Sequence, residues 1–164
     1  MYPQIILILI LISLWGCGEK SIKDIEFRSV SNNKKITLKK LDYDYAVLYV
    51  WSGTCVGHEK DLLKLNSLQE KLGSDIKIIS LAILMERDAV VSTLKDLGIE
   101  PEFVNLYDTK ARITEAVNII TLPSTLIIDK RGKVIKELAL LPSAKSIKNI
   151  IKNYKLSSKS SSSP

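Results

Sequence analysis

Residues 45–51, YAVLYVW, are apolar or aromatic at every one of seven consecutive positions. Side chains of a strand point alternately to its two faces, so a run of this kind needs apolar cover on both. It reads as a strand inside a parallel or mixed sheet with a layer packed against each side. A second run, IKIISLAIL at 76–84, has the same character. Between the two the period changes to that of a helix: Leu62, Leu65, Leu68 and Leu72 step by threes and fours, and Gly73 follows as a stop.

The rest of the chain continues the alternation. Residues 26–30 and 35–38 read as two short strands of an edge hairpin around Ser31, Asn32 and Asn33, and 87–97 as a helix closed by Gly98. Residues 101–106 return to an extended pattern, and 109–117 form a short helix. Strands at 124–129 and 133–140 are joined at Arg131 and Gly132, and a last helix spans 143–154 with Ile147, Ile150 and Ile151 on one side. Strands and helices in this order predict a three-layer α/β/α domain with a central mixed sheet. With 164 residues and 46% hydrophobic content there is material for one core. Lys and Arg are interspersed with Asp and Glu for a net charge of +6, a mildly basic surface compatible with anionic lipid headgroups. No aromatic and basic interleaving marks a nucleic-acid partner.

The amino-terminal segment is set apart by residues 5–14, apolar except for Ser13. A run of this length is too short to cross a hydrocarbon core of about 30 Å and suits the core of a signal peptide. It ends in Leu14-Trp15-Gly16-Cys17, which resembles a lipobox, the cleavage site preceding a lipid-modified cysteine of bacterial lipoproteins. The expected organisation is a lipoprotein-type signal peptide at 1–17, a tether at 18–25, a folded domain at 26–154 and a Ser-rich tail without structure at 155–164. The alternative for the amino terminus is a short uncleaved anchor. Both place the domain in the bacterial envelope, exported and attached to membrane lipid.

With Cys17 taken by its lipid, Cys55 is the one free thiol of the mature chain, and no intramolecular disulfide is available. It lies in WSGTCVGH, just after the first buried strand, with His58 three residues on. At a helix start, unsatisfied N–H groups and the positive end of the dipole favour the thiolate. His58, one turn later on the same side, is expected to add a charge-assisted hydrogen bond.

Two stretches, ITLKKLDYDYAVLYVWSGTC and LPSTLIIDKRGKVI, resemble signatures of the thioredoxin fold, and within it of the TlpA-type exported thiol-disulfide oxidoreductases. Residues between them fill the place of the extra αβ segment of that group, and the resemblance covers about 36–154. It implies that Cys55 is the nucleophile, that His58 replaces the resolving second cysteine, and that Pro123 is a cis-proline lying against the thiol and helping to hold extended substrate. Trp51 then matches the aromatic residue closing the strand and joins Pro123 as a candidate substrate contact, the alternative being a core role. No cofactor is implied.

With imidazole in the resolving position an intramolecular second step is unavailable. The expected function is therefore that of a monothiol redox protein, forming mixed disulfides with exported protein thiols or small thiols and resolved by an external reductant. Two alternatives stand beside it: a soft-metal module holding Cu(I) through Cys55 and His58, and a redox-inactive interaction protein of the envelope. Peroxide chemistry ranks lower, because Trp51-Ser52-Gly53-Thr54 replaces the proline and threonine expected before a peroxidatic cysteine.

Overall fold

In the computed structural model, which describes residues 21–160, the run at 45–51 is a strand, β3 (Tyr45–Trp51), with every residue after Tyr45 buried. The other strands are β1 (Glu26–Ser29), β2 (Lys35–Thr37), β4 (Ile76–Ile83), β5 (Val104–Asp108), β6 (Ser124–Asp129) and β7 (Val134–Leu138). They form one sheet in the order β2-β1-β5-β4-β3-β6-β7. β3, β4 and β5 are parallel, whereas β6 runs antiparallel to β3 and β1 antiparallel to β5. This is the mixed sheet expected from the sequence. The amino-terminal hairpin lies at the sheet edge, as expected: β1 docks on β5 and leaves β2 outermost.

The helices are α1 (His58–Leu62), α2 (Leu65–Leu72), α3 (Arg87–Asp96) and α4 (Ala144–Ser160). Alternation along β3 divides the core in two. Val47, Tyr49 and Trp51 join Leu62, Leu65, Leu68, Val90, Leu94, Ile147 and Ile151, so all four helices cover one face. Right-handed crossovers from β3 to β4 and from β4 to β5 place α1, α2 and α3 on that common side. Burying a leucine such as Leu65 there contributes about 1.5–3 kcal/mol. Ala46, Leu48 and Val50 face the other way and pack with Ile22, Ile25, Phe27, Leu38, Ile113 and Leu126. This second layer is built from loops and three 3-10 turns, Ile22–Asp24, Leu38–Lys40 and Arg112–Glu115. The last of these stands where a short helix was expected at 109–117.

Three boundaries differ from the sequence reading. Residues 21–25, expected as tether, belong to the fold: Ser21 caps the turn Ile22–Asp24, and Ile22 and Ile25 are buried. The segment from Lys155, expected without structure, extends α4 to Ser160, with the Ser157 and Ser158 hydroxyls donating to the carbonyls of Tyr154 and Lys155. Adding residues to a helix already nucleated by packed Ile147 and Ile151 costs little. The single helix expected between the first two central strands is broken into α1 and α2 at Leu63 and Lys64. The expected signal-peptide core and the expected lipidation site Cys17 lie outside the described residues.

Candidate functional site

Cys55 sits in the turn that leaves β3, not on a helix. Its N–H donates to the Ser52 carbonyl at 2.9 Å, closing a tight turn through Gly53 and Thr54. The sulfur accepts from the Ser52 N–H at 3.3 Å. Helix α1 starts three residues later because Gly57 takes a left-handed conformation, φ +86°, which a side chain at that position resists. The expected helix start at Cys55 is thus corrected: one N–H from Ser52, rather than a row of helix N–H groups, meets the thiol. Cys55 is half-buried, and Val56 beside it is 95% exposed.

His58 was expected to face the sulfur, and it does not. Its ring is buried and stacks on the Trp51 indole, centroids 5.1 Å apart and planes inclined by 13°. Nδ1 donates to the Cys55 carbonyl. The left-handed Gly57 swings the chain so that His58, first residue of α1, hooks back onto the backbone of the turn. Trp51 is held in its own plane by a bond from Nε1–H to the Ser80 hydroxyl at 2.9 Å, buried between β3 and β4. The four residues form a chain of contacts, Ser80 to Trp51 to His58 to the Cys55 carbonyl, which fixes the turn.

Pro123 follows a cis peptide bond and is half-buried. Its neighbour Ser124 pairs with Val50, so the antiparallel register brings Pro123 alongside the end of β3 from which the Cys55 turn departs. Trp51, Cys55, His58 and Pro123 thus lie at one end of the sheet.

Other residues at this end were not singled out from sequence. Ser80 is the one polar residue inside the apolar run 78–84, a signal available but unread. Met85 lies over the turn: a Cβ on Gly53 would come within 3.3 Å of its Cε. Tyr49, beneath the loop, donates from its hydroxyl to Asp61 at 3.3 Å, and burial, then the Asp61 charge, push its ionisation far up. Among the described residues no group of three or more His, Cys, Asp or Glu is placed to hold a metal ion. With Nδ1 committed to the backbone, His58 offers only Nε2 to any ligand. Among the described residues no helix is long and apolar enough to cross a membrane.

Comparison with known proteins agrees with the fold. The chain is 31% identical over 106 residues to the thiol-disulfide oxidoreductase ResA of Bacillus thuringiensis subsp. konkukian (strain 97-27), covering 64% of this chain and 60% of that protein. ResA of Bacillus cereus (strain ATCC 10987 / NRS 248) matches with the same figures, so the chain spans about three fifths of these curated relatives. Among solved structures, a DsbF homologue from Corynebacterium diphtheriae superposes with a TM-score of 0.66 at 17% identity, over 81% of this chain and 85% of that one. StoA from Bacillus subtilis gives 0.63 at 15%, over 80% and 99%. These structural likenesses, and that to a thioredoxin-like protein from Aeropyrum pernix at a TM-score of 0.62, establish a thioredoxin-like α/β fold. The pattern of the AhpC/TSA family matches residues 19–137, well over half of the sequence, and the chain belongs to that family.

Proposed function

We propose that this protein is a membrane-tethered, extracytoplasmic thiol redox protein of TlpA-type kinship that works through one cysteine. The carrying observation is the half-buried Cys55, its sulfur receiving the Ser52 N–H at 3.3 Å in a turn braced by His58 and Trp51. A thiolate there attacks a disulfide R–S–S–R′, forming the Cys55–S–S–R bond and releasing R′–S⁻. His58 replaces the second thiol, so the mixed disulfide waits for an external thiolate R″–S⁻. That thiolate forms R–S–S–R″ and returns Cys55 to its thiolate form. Oxidation of the partners and reduction of the incoming disulfide balance, with no cofactor. The kinship with ResA, a thiol-disulfide oxidoreductase by name, supports the same chemistry. Pro123, beside the end of β3, is the residue proposed to line the path of an extended substrate, and Cys17 the site of the lipid.

The test is to mix Cys17→Ser protein with a peptide disulfide and read the intact mass. The expected product is a single adduct on Cys55, stable until a small thiol is added and absent in Cys55→Ser. No adduct, with Cys55 unreactive to an alkylating probe, overturns the proposal; rapid catalytic consumption of peroxide would move the chemistry to a peroxidase instead.

A further inference from the structure

Charge is unevenly placed on this fold. α4 carries Lys145, Lys148, Lys152, Lys155 and Lys159 and no acidic residue. Without it the chain has 19 basic against 18 acidic residues, so one helix supplies almost all of the net +6. At 3.6 residues per turn Lys145, Lys148, Lys152 and Lys155 fall within an arc of about 80°. Ile147 and Ile151 lie outside that arc and are buried against the sheet, whereas Lys145, Lys148, Lys152 and Lys155 are exposed. Leu156, 59% exposed, stands at the margin of the stripe.

The stripe has a fixed place relative to the site. Tyr154 donates to Asp129 and accepts from Arg131, both at 3.1 Å, and the Lys155 ammonium lies 4.9 Å from the Tyr45 ring centroid. The carboxyl half of α4 therefore ends at the β6–β7 turn, beside the start of β3. The chain enters the fold at that same turn: the Lys23 ammonium donates to the Lys130 carbonyl at 2.5 Å, and Lys23 and Ile22 crowd Gly132. One pole thus gathers the entry of the chain, the end of α4, and Lys23, Lys130, Arg131 and Lys133. Against these four cations and the lysines of α4 stand five carboxylates: Asp24, tied to Lys39 at 3.1 Å, Asp129, buried under Arg131, and Asp42, Asp44 and Asp75. β3 starts at this pole and runs about 20 Å to the Cys55 turn at the other.

We propose that this pole, with the lysine stripe of α4 as its main surface, docks on an anionic phospholipid bilayer and holds Cys55 pointing away from it. Charge complementarity selects the ligand. The choice of a bilayer over a soluble polyanion rests on the lipid tether proposed above: Cys17 precedes Ser21 by four residues, a reach of at most about 14 Å. Docking by the stripe turns a loose tether into a fixed orientation, with the thiol presented to partners outside the headgroup layer.

Vesicle sedimentation tests this with the full chain, comparing phosphatidylcholine alone with phosphatidylcholine containing one quarter phosphatidylglycerol. In about 0.1 M salt, where screening spans about 10 Å, partition onto the anionic vesicles is expected to be at least tenfold stronger. The preference should vanish in about 0.5 M salt and in the Lys145→Gln, Lys148→Gln, Lys152→Gln, Lys155→Gln variant, and persist when the same four are changed to Arg. Equal partition onto both vesicles, a preference that survives in the Gln variant, or binding to heparin without preference for the anionic vesicles overturns the proposal. Alkylation of Cys55 by a water-soluble maleimide in Cys17→Ser protein should stay within about twofold of its free rate on anionic vesicles; strong protection overturns the orientation. Cys55→Ser must retain the vesicle preference, so failure of the thiol chemistry and failure of docking are read separately.

Discussion

The imidazole of His58 lies flat on the indole of Trp51 at 5.1 Å and spends its Nδ1 hydrogen bond on the carbonyl of Cys55, not on its sulfur. The residue expected in the resolving position is therefore a brace for the turn. Removing it with His58→Ala gives up a stacked aromatic contact and a buried hydrogen bond, a loss of about 2 kcal/mol in unfolding free energy. Chemical denaturation checks this. Alkylation of Cys55 should remain, because the sulfur's donor is the Ser52 N–H.

Ser80→Ala is expected to cost about 1–3 kcal/mol although only one oxygen is lost, because the Trp51 Nε1–H is then buried with no acceptor. A Trp51→Phe, Ser80→Ala double variant removes both ends of that bond. It should cost less than the two single losses added, which a double-mutant cycle measures.

The difference between what the sequence disclosed and what it hid follows the range of the interactions. β3, β4 and β6 were legible because their apolar runs are local. The pairing of Val50 with Ser124 then carries Pro123 to the site through sheet register alone. His58 was misdirected for a local reason also: three residues from Cys55 means the same side only if a helix joins them, and Gly57 at φ +86° interrupts it. The bond between Trp51 and Ser80 crosses from strand to strand and has no short-range signature beyond a serine in an apolar run. Likewise, Lys155 to Ser160 look soluble by composition, yet the docked Tyr154 carries the helix forward.

Stability should fall at both extremes of pH, for different groups. Burial pushes the Asp129 carboxyl up, but the Lys133 N–H, the Arg131 guanidinium and the Tyr154 hydroxyl outweigh it and leave it below the usual carboxylate range. Its contribution is present above about pH 4 and is lost as pH falls through the lowered folded value. In Asp129→Asn, that acid sensitivity should shrink, together with a loss of stability at neutral pH. Tyr43 behaves oppositely: burial, then the Asp129 charge, push its phenol up to about 12. The neutral phenol is favoured in the fold, so this contribution is intact below about pH 10 and is lost as pH rises through 12. Two units correspond to about 2–3 kcal/mol. Denaturant midpoints across pH, with Tyr43→Phe flattening the alkaline limb, check this.

Gly57→Ala isolates backbone strain, since an added Cβ would meet nothing within 4 Å. The cost is the left-handed conformation alone, about 1–2 kcal/mol. The relief of that strain would draw His58 off Trp51, so near-ultraviolet dichroism of the indole should change along with the denaturation midpoint.

His58→Cys asks whether the missing half of a dithiol cycle is restored by one residue. A cysteine at 58 stands at the first position of α1, three residues after Cys55, and its shorter side chain leaves the face of Trp51 empty. Two opposing effects follow: a second thiol is added beyond the Gly57 turn, turned away from Cys55 as His58 is, and the stacking brace that holds it there is removed. Because the turn keeps its own Cys55 N–H to Ser52 carbonyl bond at 2.9 Å, closure should still occur. The expected result in Cys17→Ser protein is a two-hydrogen mass loss on oxidation and spontaneous release of a bound peptide thiol, at a stability about 2 kcal/mol below the parent in the reduced form. If the mixed disulfide instead persists, as is proposed for the parent with His58, the scaffold lacks the geometry for resolution, and its single-cysteine character is built into the turn rather than into one substitution.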